Sequence, residues 1–168
     1  DSHNILLLLI HYMVKYKKMN GKVCVAFSVT EKVKKICAHY NLPLEVVKIG
    51  FKYICGVMIT EDVLLGGEES GGIAIKGHIP ERDGICIGLT LMEFMAKTGK
   101  SLDTLIKEVI KITGTFAYKR IDMHITEEKK QAILQNCRQN KYTAFGKYKV
   151  ERIEDMDGYK FFFKNDEW

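Results

Sequence analysis

The sequence predicts an α/β layered sheet with flanking helices, followed by a partial α+β domain. In residues 1–113, short apolar runs without polar alternation are typical of strands buried on both faces of a sheet. Segments with helical periodicity separate these runs, and strands that alternate with helices indicate a layered α/β fold. After Gly114 the order becomes strand, helix and hairpin, which indicates a smaller second domain. We therefore expect one domain over residues 1–113 and an incomplete one over residues 114–168.

The elements of the first domain follow from apolar runs and from residues that favour helix caps. Ser2 is the expected cap of a helix to about Lys18, whose first half is apolar on all sides and suits a buried layer. Thr30, Asp83 and Ser101 are the expected caps of three further helices. The strands are predicted over residues 22–28, 44–48, 63–65 and 73–75, with another helix over residues 51–58.

The second domain begins with a predicted strand over residues 120–125. Thr126 is the expected cap of the helix that follows it. Two strands over residues 147–153 and 159–164 are joined by an Asp-Met-Asp-Gly turn, which predicts one hairpin. The hairpin has an apolar face with nothing in the sequence to cover it, so we expect further chain beyond Trp168.

Composition argues against several classes of protein. The apolar run over residues 5–10 is shorter than the ~20 residues of a membrane span and lysines follow it, so we expect no membrane contact. The five cysteines are scattered without a C-x-x-C pair, which indicates reduced thiols and a cytoplasmic location. The net charge of +5 is concentrated in residues 1–60, but no RNA-binding signature or interleaved aromatic residues accompany it. We therefore expect no nucleic-acid partner.

The most informative segment is residues 66–72, in which two glycine pairs enclose Glu68, Glu69 and Ser70. Glycines allow the backbone to turn back through positive φ angles directly after a strand. Ligands of open α/β sheets bind at the carboxyl ends of the strands. Because a carboxylate accepts hydrogen bonds and a hydroxyl both donates and accepts, the loop suits a polyhydroxylated ligand such as a sugar. On composition alone, a polar surface turn is the commoner explanation of such a cluster.

Three segments of the chain resemble the alpha-D-phosphohexomutases, the phosphoglucomutase and phosphomannomutase family. Residues 66–72 resemble the sugar-recognition loop, residues 79–84 the segment that follows it in glucose-type members, and residues 48–54 a third family segment. The resemblance covers nearly the whole chain, as the family's third domain and the start of its fourth. It implies an enzyme that interconverts hexose 1-phosphate and hexose 6-phosphate through a phosphoserine and a bisphosphate intermediate.

The resemblance also implies which residues contact the substrate. The family's Glu and Ser fall on Glu68 and Ser70, which would hydrogen-bond ring hydroxyls in both orientations of the sugar. The basic residue near bound phosphate falls on Arg82. Lys52 and Lys76 are weaker candidates for neutralising phosphate, because exposed lysines are usually only solvated. The predicted substrate-binding residues are Glu68, Ser70, Arg82, Ile49, Gly50, Gly67, Lys52 and Lys76.

Three other polar residues near the loop are interpreted as structural. Asp83 is best explained as a helix cap, and His78 as a packed or capping histidine. Glu69 is adjacent to Glu68, and neighbouring loop residues seldom point at the same ligand atom.

The identity of the sugar is left with alternatives. Members that accept both mannose and glucose phosphates often carry histidine where this chain has Phe51 and Gly72. The Phe51-Lys52 pair resembles glucose-preferring members, so glucose phosphate is favoured. A phosphomannomutase or a sugar-bisphosphate synthase on the same scaffold is the alternative within the family. From another class, a non-catalytic sugar-phosphate-binding module remains an alternative.

Several parts that the family needs are absent from this sequence. Ser2-His3 lies at a helix start without the context of the family's nucleophile, and neither the aspartate-rich magnesium loop nor the phosphate-gripping loop is found. We therefore expect no catalytic residue and no metal ligand here. The full-length enzyme is expected to use Mg²⁺ and a glucose 1,6-bisphosphate-type activator, with missing domains of its own chain as partners. Phosphoryl transfer depends on positioning and electrostatics, so the chain alone is expected to be inactive.

Overall fold

The chain divides into two units in the computed structural model, which describes residues 1–164 and 167–168. The first unit spans Asp1–Phe116 and the second Ala117–Trp168. In the first unit, helices flank a mixed parallel and antiparallel sheet, which confirms the predicted α/β class. Every helix within the described residues is too short or too polar to span a lipid bilayer.

The strands of the first unit form one sheet. In chain order they are β1 (Lys22–Ala26), β2 (Leu44–Val47), β3 (Val63–Gly67) and β4 (Ile73–Ile75), and they lie in the order β2-β1-β3-β4. β1 is parallel to both β2 and β3, whereas β4 is antiparallel to β3. The carboxyl ends of β1, β2 and β3 therefore meet at one edge of the sheet. Residues 68–72 begin at this edge.

The helices of the first unit are α1 (Ser2–His11), α2 (Lys32–Tyr40), α3 (Phe51–Thr60), α4 (Gly84–Thr98) and α5 (Leu102–Thr113). A π-helical turn, Tyr12–Tyr16, extends α1. α1 packs against α2, α5 and β3, whereas α3 packs against β1 and β3. Leu6, Leu7, Leu8, Leu9 and Ile10 are each no more than 1% exposed. α1 is therefore buried on all sides, as its apolar sequence predicts.

Two of the predicted helix caps are shifted by one residue. Neither Ser2 nor Thr30 holds the cap position of its helix. In α1 Asp1 takes that position, and its carboxylate accepts from the Asn4 N–H at 2.9 Å. In α2 Glu31 takes it without a side-chain cap hydrogen bond, whereas the Thr30 hydroxyl still accepts from the Lys32 N–H at 3.3 Å. The correction has a local cause, since a carboxylate at a helix N-terminus also interacts favourably with the helix dipole.

Gly66 and Gly67 lie inside β3, whereas the sequence pattern predicts that they belong to the loop. A Cβ atom at Gly66 would come within 3.0 Å of Ile54 on α3, and one at Gly67 within 3.0 Å of Leu6 on α1. Successive strand residues point to opposite faces, so α3 and α1 cover the two faces of the sheet. The two glycines therefore permit close packing of helices on the strand, and positive φ angles are not the reason for them.

The second unit contains one helix and two short hairpins among its described residues. The helix is α6 (Glu127–Arg138), and the hairpins pair β5 (Ala144–Phe145) with β6 (Tyr148–Lys149) and β7 (Arg152–Glu154) with β8 (Lys160–Phe162). Thr126 caps α6 as predicted, and its hydroxyl accepts from the Lys129 N–H at 3.4 Å.

Two strand predictions in this unit are wrong. Residues 120–125 form no strand, and they are exposed on all sides without a neighbouring strand to pair their backbone groups. The strand predicted over residues 147–153 is divided between two hairpins. The division follows a turn at Gly146, which has a φ of 58° and folds β6 back onto β5. The predicted turn over residues 155–158 is present between β7 and β8.

Candidate functional site

Glu68 is the first residue after β3, at the carboxyl edge of the sheet. Although it carries a carboxylate, it is only 6% exposed. Its N–H donates to the Gly72 carbonyl at 2.9 Å, and the Gly71 N–H donates to the Glu68 carbonyl at 3.1 Å. Gly71 has a φ of 95°, a conformation that residues with a side chain rarely adopt. The glycine-supported turn that the sequence predicts is therefore present, although it begins at Glu68.

The Glu68 carboxylate is held by the start of α3. Its Oε1 atom accepts a hydrogen bond from the Gly50 N–H at 3.0 Å. Gly50 occupies the cap position of α3 with a φ of 121°, so glycine suits this position. The helix N-terminus also favours a negative charge. The structure thus brings together Gly50 and Glu68, two predicted site residues from segments 18 residues apart.

Arg82 lies against the same carboxylate. Its Nη1 atom is 3.7 Å from Glu68 Oε2, its guanidinium lies 5.5 Å from the centre of the Phe51 ring, and its side chain remains 56% exposed. Gly72 makes this arrangement possible, because a Cβ there would lie 2.6 Å from Arg82 Cδ and 3.1 Å from Glu68 Oε2. Phe51 and Gly72, whose residue types bear on the predicted sugar preference, therefore both lie against the arginine.

Glu69 holds the loop to the rest of the unit. The Ser28 hydroxyl donates to the Glu69 carboxylate, and the Ser2 hydroxyl donates to the Glu69 carbonyl. Ser28 follows β1 and Ser2 begins α1, so the two bonds fix the loop to both elements. Glu69 therefore has the structural role expected of it. No local sequence signal could have identified the two serines, because they lie 41 and 67 residues away.

Three of the remaining predicted residues of this edge are exposed, and one is buried. Ser70 is exposed at the tip of the loop, and its hydroxyl has no hydrogen bond to any residue that the structure describes. Ile49 is 44% exposed beside Gly50. Lys52 is exposed in the first turn of α3, with its ammonium group 5.0 Å from the centre of the Tyr53 ring. Gly67 is buried in β3 and offers only its backbone.

Lys76 is not brought to this site. The Lys76 N–H donates to the Leu64 carbonyl at 2.9 Å. Leu64 precedes Glu68 by four residues, which correspond to about 13 Å along the strand. The Lys76 ammonium group binds the Asn20 carbonyl at 3.0 Å and the Asp62 carboxylate at 2.5 Å. Lys76 therefore lies away from Glu68, because β4 runs antiparallel to β3 and carries Lys76 to the opposite edge of the sheet. Its position gives no support to the predicted role in neutralising phosphate at this edge.

His78 and Asp83 form a pair at the start of α4. His78 Nε2 lies 2.9 Å from Asp83 Oδ2, and Asp83 Oδ1 accepts from the N–H groups of Ile85 and Cys86 at 2.9 and 3.0 Å. The hydrogen bond from the Cys86 N–H, followed by that from His78, holds the pKa of the Asp83 carboxyl below its usual range. Asp83 is thus the cap that the sequence predicts, and His78 supports the cap.

The edge of the sheet combines three chemical functions. Glu68 still has acceptor capacity beyond its bond to Gly50, because each carboxylate oxygen has two lone pairs. The Ser70 hydroxyl both donates and accepts, and the exposed Arg82 guanidinium carries further N–H donors. Within residues 1–164 and 167–168, no group of three histidine, cysteine, aspartate or glutamate side chains is arranged to hold a metal ion. The arrangement suits a polar ligand with hydroxyl and anionic groups.

The fold and this edge define the class of the first unit, which is an α/β domain with a candidate ligand site at the carboxyl ends of its parallel strands. The sequence model of the phosphoglucomutase/phosphomannomutase alpha/beta/alpha domain III matches residues 1–112. The chain therefore belongs to the phosphoglucomutase/phosphomannomutase family.

Individual relatives agree with this assignment. A phosphoglucosamine mutase of Rubrobacter xylanophilus is 29% identical over 105 residues, which are 62% of this chain and 24% of that protein. A phosphoglucosamine mutase of Carboxydothermus hydrogenoformans is 29% identical over 122 residues, which are 72% of this chain and 28% of that protein. The crystal structure of a protein described as a phosphomannomutase from Thermus thermophilus matches with a TM-score of 0.78 and 29% identity, over 96% of this chain and 32% of that chain. The chain thus spans about a quarter to a third of the length of these relatives.

Proposed function

We propose that the first unit recognises the sugar ring of a hexose phosphate within a phosphohexomutase. The observation that carries this proposal is the buried Glu68 carboxylate, which the Gly50 N–H holds beside the exposed Ser70 at the carboxyl edge of the sheet. A buried carboxylate with unused lone pairs is a strong acceptor for sugar hydroxyls. Because its position is fixed by backbone and helix, little conformational entropy is lost when the sugar binds.

Arg82 is proposed to bind the phosphate of the substrate. The separation of 3.7 Å from Glu68 is longer than a strong charge-assisted hydrogen bond, and more than half of the side chain is exposed. The guanidinium can therefore turn towards a phosphate oxygen while it stays over the Phe51 ring. Lys52, Ile49 and the backbone of Gly67 complete the proposed substrate-binding set on this edge.

The whole enzyme is proposed to move a phosphoryl group within the hexose phosphate. A phosphoserine gives its phosphoryl group to the free hydroxyl of the substrate, and the resulting bisphosphate returns its other phosphoryl group to the serine. The sugar must therefore be held in two opposite orientations. A carboxylate and a hydroxyl suit this requirement, because both accept hydrogen bonds from ring hydroxyls on either side. We propose that the full-length enzyme is cytoplasmic, supplies the phosphoserine, and uses a magnesium ion and a bisphosphate activator.

A gluco-configured hexose phosphate is the proposed substrate. The Phe51-Lys52 pair supports glucose phosphate, and the names of the phosphoglucosamine mutases among the relatives support glucosamine phosphate. Glucose and glucosamine have the same 3- and 4-hydroxyl groups and differ only at C2. Mannose phosphate, with an axial 2-hydroxyl, is the second candidate, which the Thermus relative supports.

Binding to the purified chain tests the sugar-recognition proposal. We expect glucosamine 6-phosphate and glucose 6-phosphate to shift the backbone NMR signals of residues 68–72 saturably, and Glu68→Gln to weaken binding about tenfold or more through loss of charge-assisted hydrogen bonds. Asp62→Asn is the control, because Asp62 is an exposed acid beside Lys76 at the opposite edge. Equal affinity of Glu68→Gln and the original chain would contradict the proposal.

Activity of the full-length protein separates a mutase from a binding module. We expect it to interconvert hexose 1- and 6-phosphates when Mg²⁺ and a trace of sugar bisphosphate are supplied. A full-length protein that binds these sugar phosphates but never isomerises them would support the non-catalytic module instead.

A further inference from the structure

A second candidate site lies far from the sugar-recognition loop. A cavity of about 560 Å³ opens between α1 with its π-helical extension, α2 and α5, and we name it the three-helix pocket. His11 lies on its wall, nine residues after Ser2, which contacts the loop. Nine residues of helix span about 14 Å, so the pocket is separate from the loop. Its volume is in the usual range of small-molecule sites.

Glu108 is the acidic residue of this pocket, and its charge is fully engaged. One carboxylate oxygen accepts from Lys15 at 3.0 Å, Tyr16 at 3.0 Å and His11 at 3.2 Å, and the other accepts from Lys100 at 2.5 Å. The bond from Lys100, supported by the other donors, holds the pKa of the Glu108 carboxyl well below its usual range. Glu108 therefore organises the donors around it and has little capacity left for a ligand.

His11 is a neutral part of the pocket wall. It is 1% exposed, and burial lowers its pKa below the usual value. Since an ionised carboxylate only accepts hydrogen bonds, Nε2 carries the hydrogen and donates to Glu108. Nδ1 then accepts from the Tyr40 hydroxyl at 2.6 Å. This chain of bonds joins α1, α2 and α5 into a rigid wall.

Positive charge remains in excess around this wall. Lys15 and Lys100 both bind the single Glu108 carboxylate, and Lys15 is still 46% exposed. Lys111 lines the pocket, is exposed, and has no ion pair with any residue that the structure describes. The three lysines Lys15, Lys100 and Lys111 thus face one carboxylate, which leaves an excess of two positive charges. The rings of His39 and Tyr40, 4.7 Å apart, and the side chain of Ile112 offer a less polar surface beside them.

The geometry points to the three-helix pocket as a binding site for a small phosphate monoester. Such an ester carries a charge of about −1.5 to −2 at pH 7, which matches the excess of positive charge. Lys15 and Lys111 would bind the phosphate oxygens, and the organic part would lie against His39, Tyr40 and Ile112. Ser2, at the other end of α1, donates to Glu69 in the loop. An ester bound in this pocket would therefore stabilise the helix that supports the loop.

Titration of the purified chain with glycerol 3-phosphate tests this site, since this ester has no sugar ring for the loop to recognise. The histidine ring signals in ¹H–¹³C NMR spectra report binding, because His11 and His39 both line the pocket. We expect saturable shifts of both rings. Lys111→Ala is expected to weaken binding about tenfold through loss of a charge-assisted hydrogen bond. The matched control is Lys107→Ala, one turn earlier on α5, where the lysine is exposed and paired with Asp103.

Four results would overturn the inference. Shifts that grow linearly without saturation would indicate general ionic screening, as would equal weakening by Lys111→Ala and Lys107→Ala. Backbone amide signals of residues 68–72 that shift while the rings of His11 and His39 do not would place the ester at the loop instead. Inorganic phosphate that binds as tightly as glycerol 3-phosphate would overturn the assignment of an ester, because the organic part would then contribute nothing.

Discussion

Replacement of Gly67 by alanine tests how the sheet edge is built. A Cβ at this position would lie within 3.0 Å of Leu6 Cδ1 and 3.4 Å from Leu6 Cγ, whereas carbon atoms pack best at about 3.5–4.0 Å. Leu6 is 0% exposed, so it cannot move out into solvent and must shift within the core. Overpacking of this kind costs about 1–3 kcal/mol. The reduced entropy of the unfolded chain with alanine offsets about 0.4–1 kcal/mol of that cost.

We therefore expect Gly67→Ala to lower the free energy of unfolding by about 1–2 kcal/mol. Urea denaturation followed by far-UV circular dichroism is the suitable assay. The only tryptophan, Trp168, lies in the second unit, so its fluorescence would follow unfolding of the other unit. Gly88→Ala is the matched control, because nothing lies within 4 Å of its Cβ position in α4. Alanine there should stabilise the helix by up to about 1 kcal/mol.

A double substitution separates overpacking from other causes. Leu6→Ala removes the atoms that a Cβ at position 67 would meet, at its own cost of about 2–5 kcal/mol. The double variant should therefore lose less unfolding free energy than the two single variants lose together. The difference, which is the coupling energy, should be at least about 0.5 kcal/mol. If Gly67→Ala has no effect on stability, or if the two costs are additive, the close approach of α1 to β3 is not the reason for this glycine.

Two further predictions concern the loop and pH. Glu69→Ala removes the carboxylate that Ser28 binds, so we expect weaker sugar-phosphate binding and faster amide hydrogen exchange over residues 68–72. The free energy of unfolding should change by about 1 kcal/mol at most. Unchanged exchange over these residues would contradict the role of Glu69. Burial, with a smaller effect of Lys15, lowers the pKa of His11 below 6.5, so its contribution to stability is complete above about pH 6.5 and is lost as the pH falls below it. The pKa of the Glu108 carboxyl is also lowered, and its contribution to stability is lost only below about pH 4.5. In urea denaturation at a series of pH values, His11→Asn should therefore remove the decline in unfolding free energy that begins below pH 6.5 and leave the decline below pH 4.5.

Much of the first unit could be predicted because its signals are local. Apolar runs indicated the strands, and side-chain oxygens at Asp83 and Ser101 indicated two helix starts, since a cap forms bonds within three residues of itself. The second unit was less predictable. Residues 120–125 have the alternation of a strand, but a strand also needs a partner, and no local pattern shows whether one is present.

Residue types and their spacing along the chain were sufficient for the α/β class, the family and the position of the loop with Glu68 and Ser70. The groups that surround that loop could be found only in the folded chain. Folding brings Gly50 and Arg82 to Glu68, and it takes Lys76 to the opposite edge because β4 reverses direction. The physical reason is that a contact between distant segments depends on strand direction and helix packing, which no single segment of the sequence specifies.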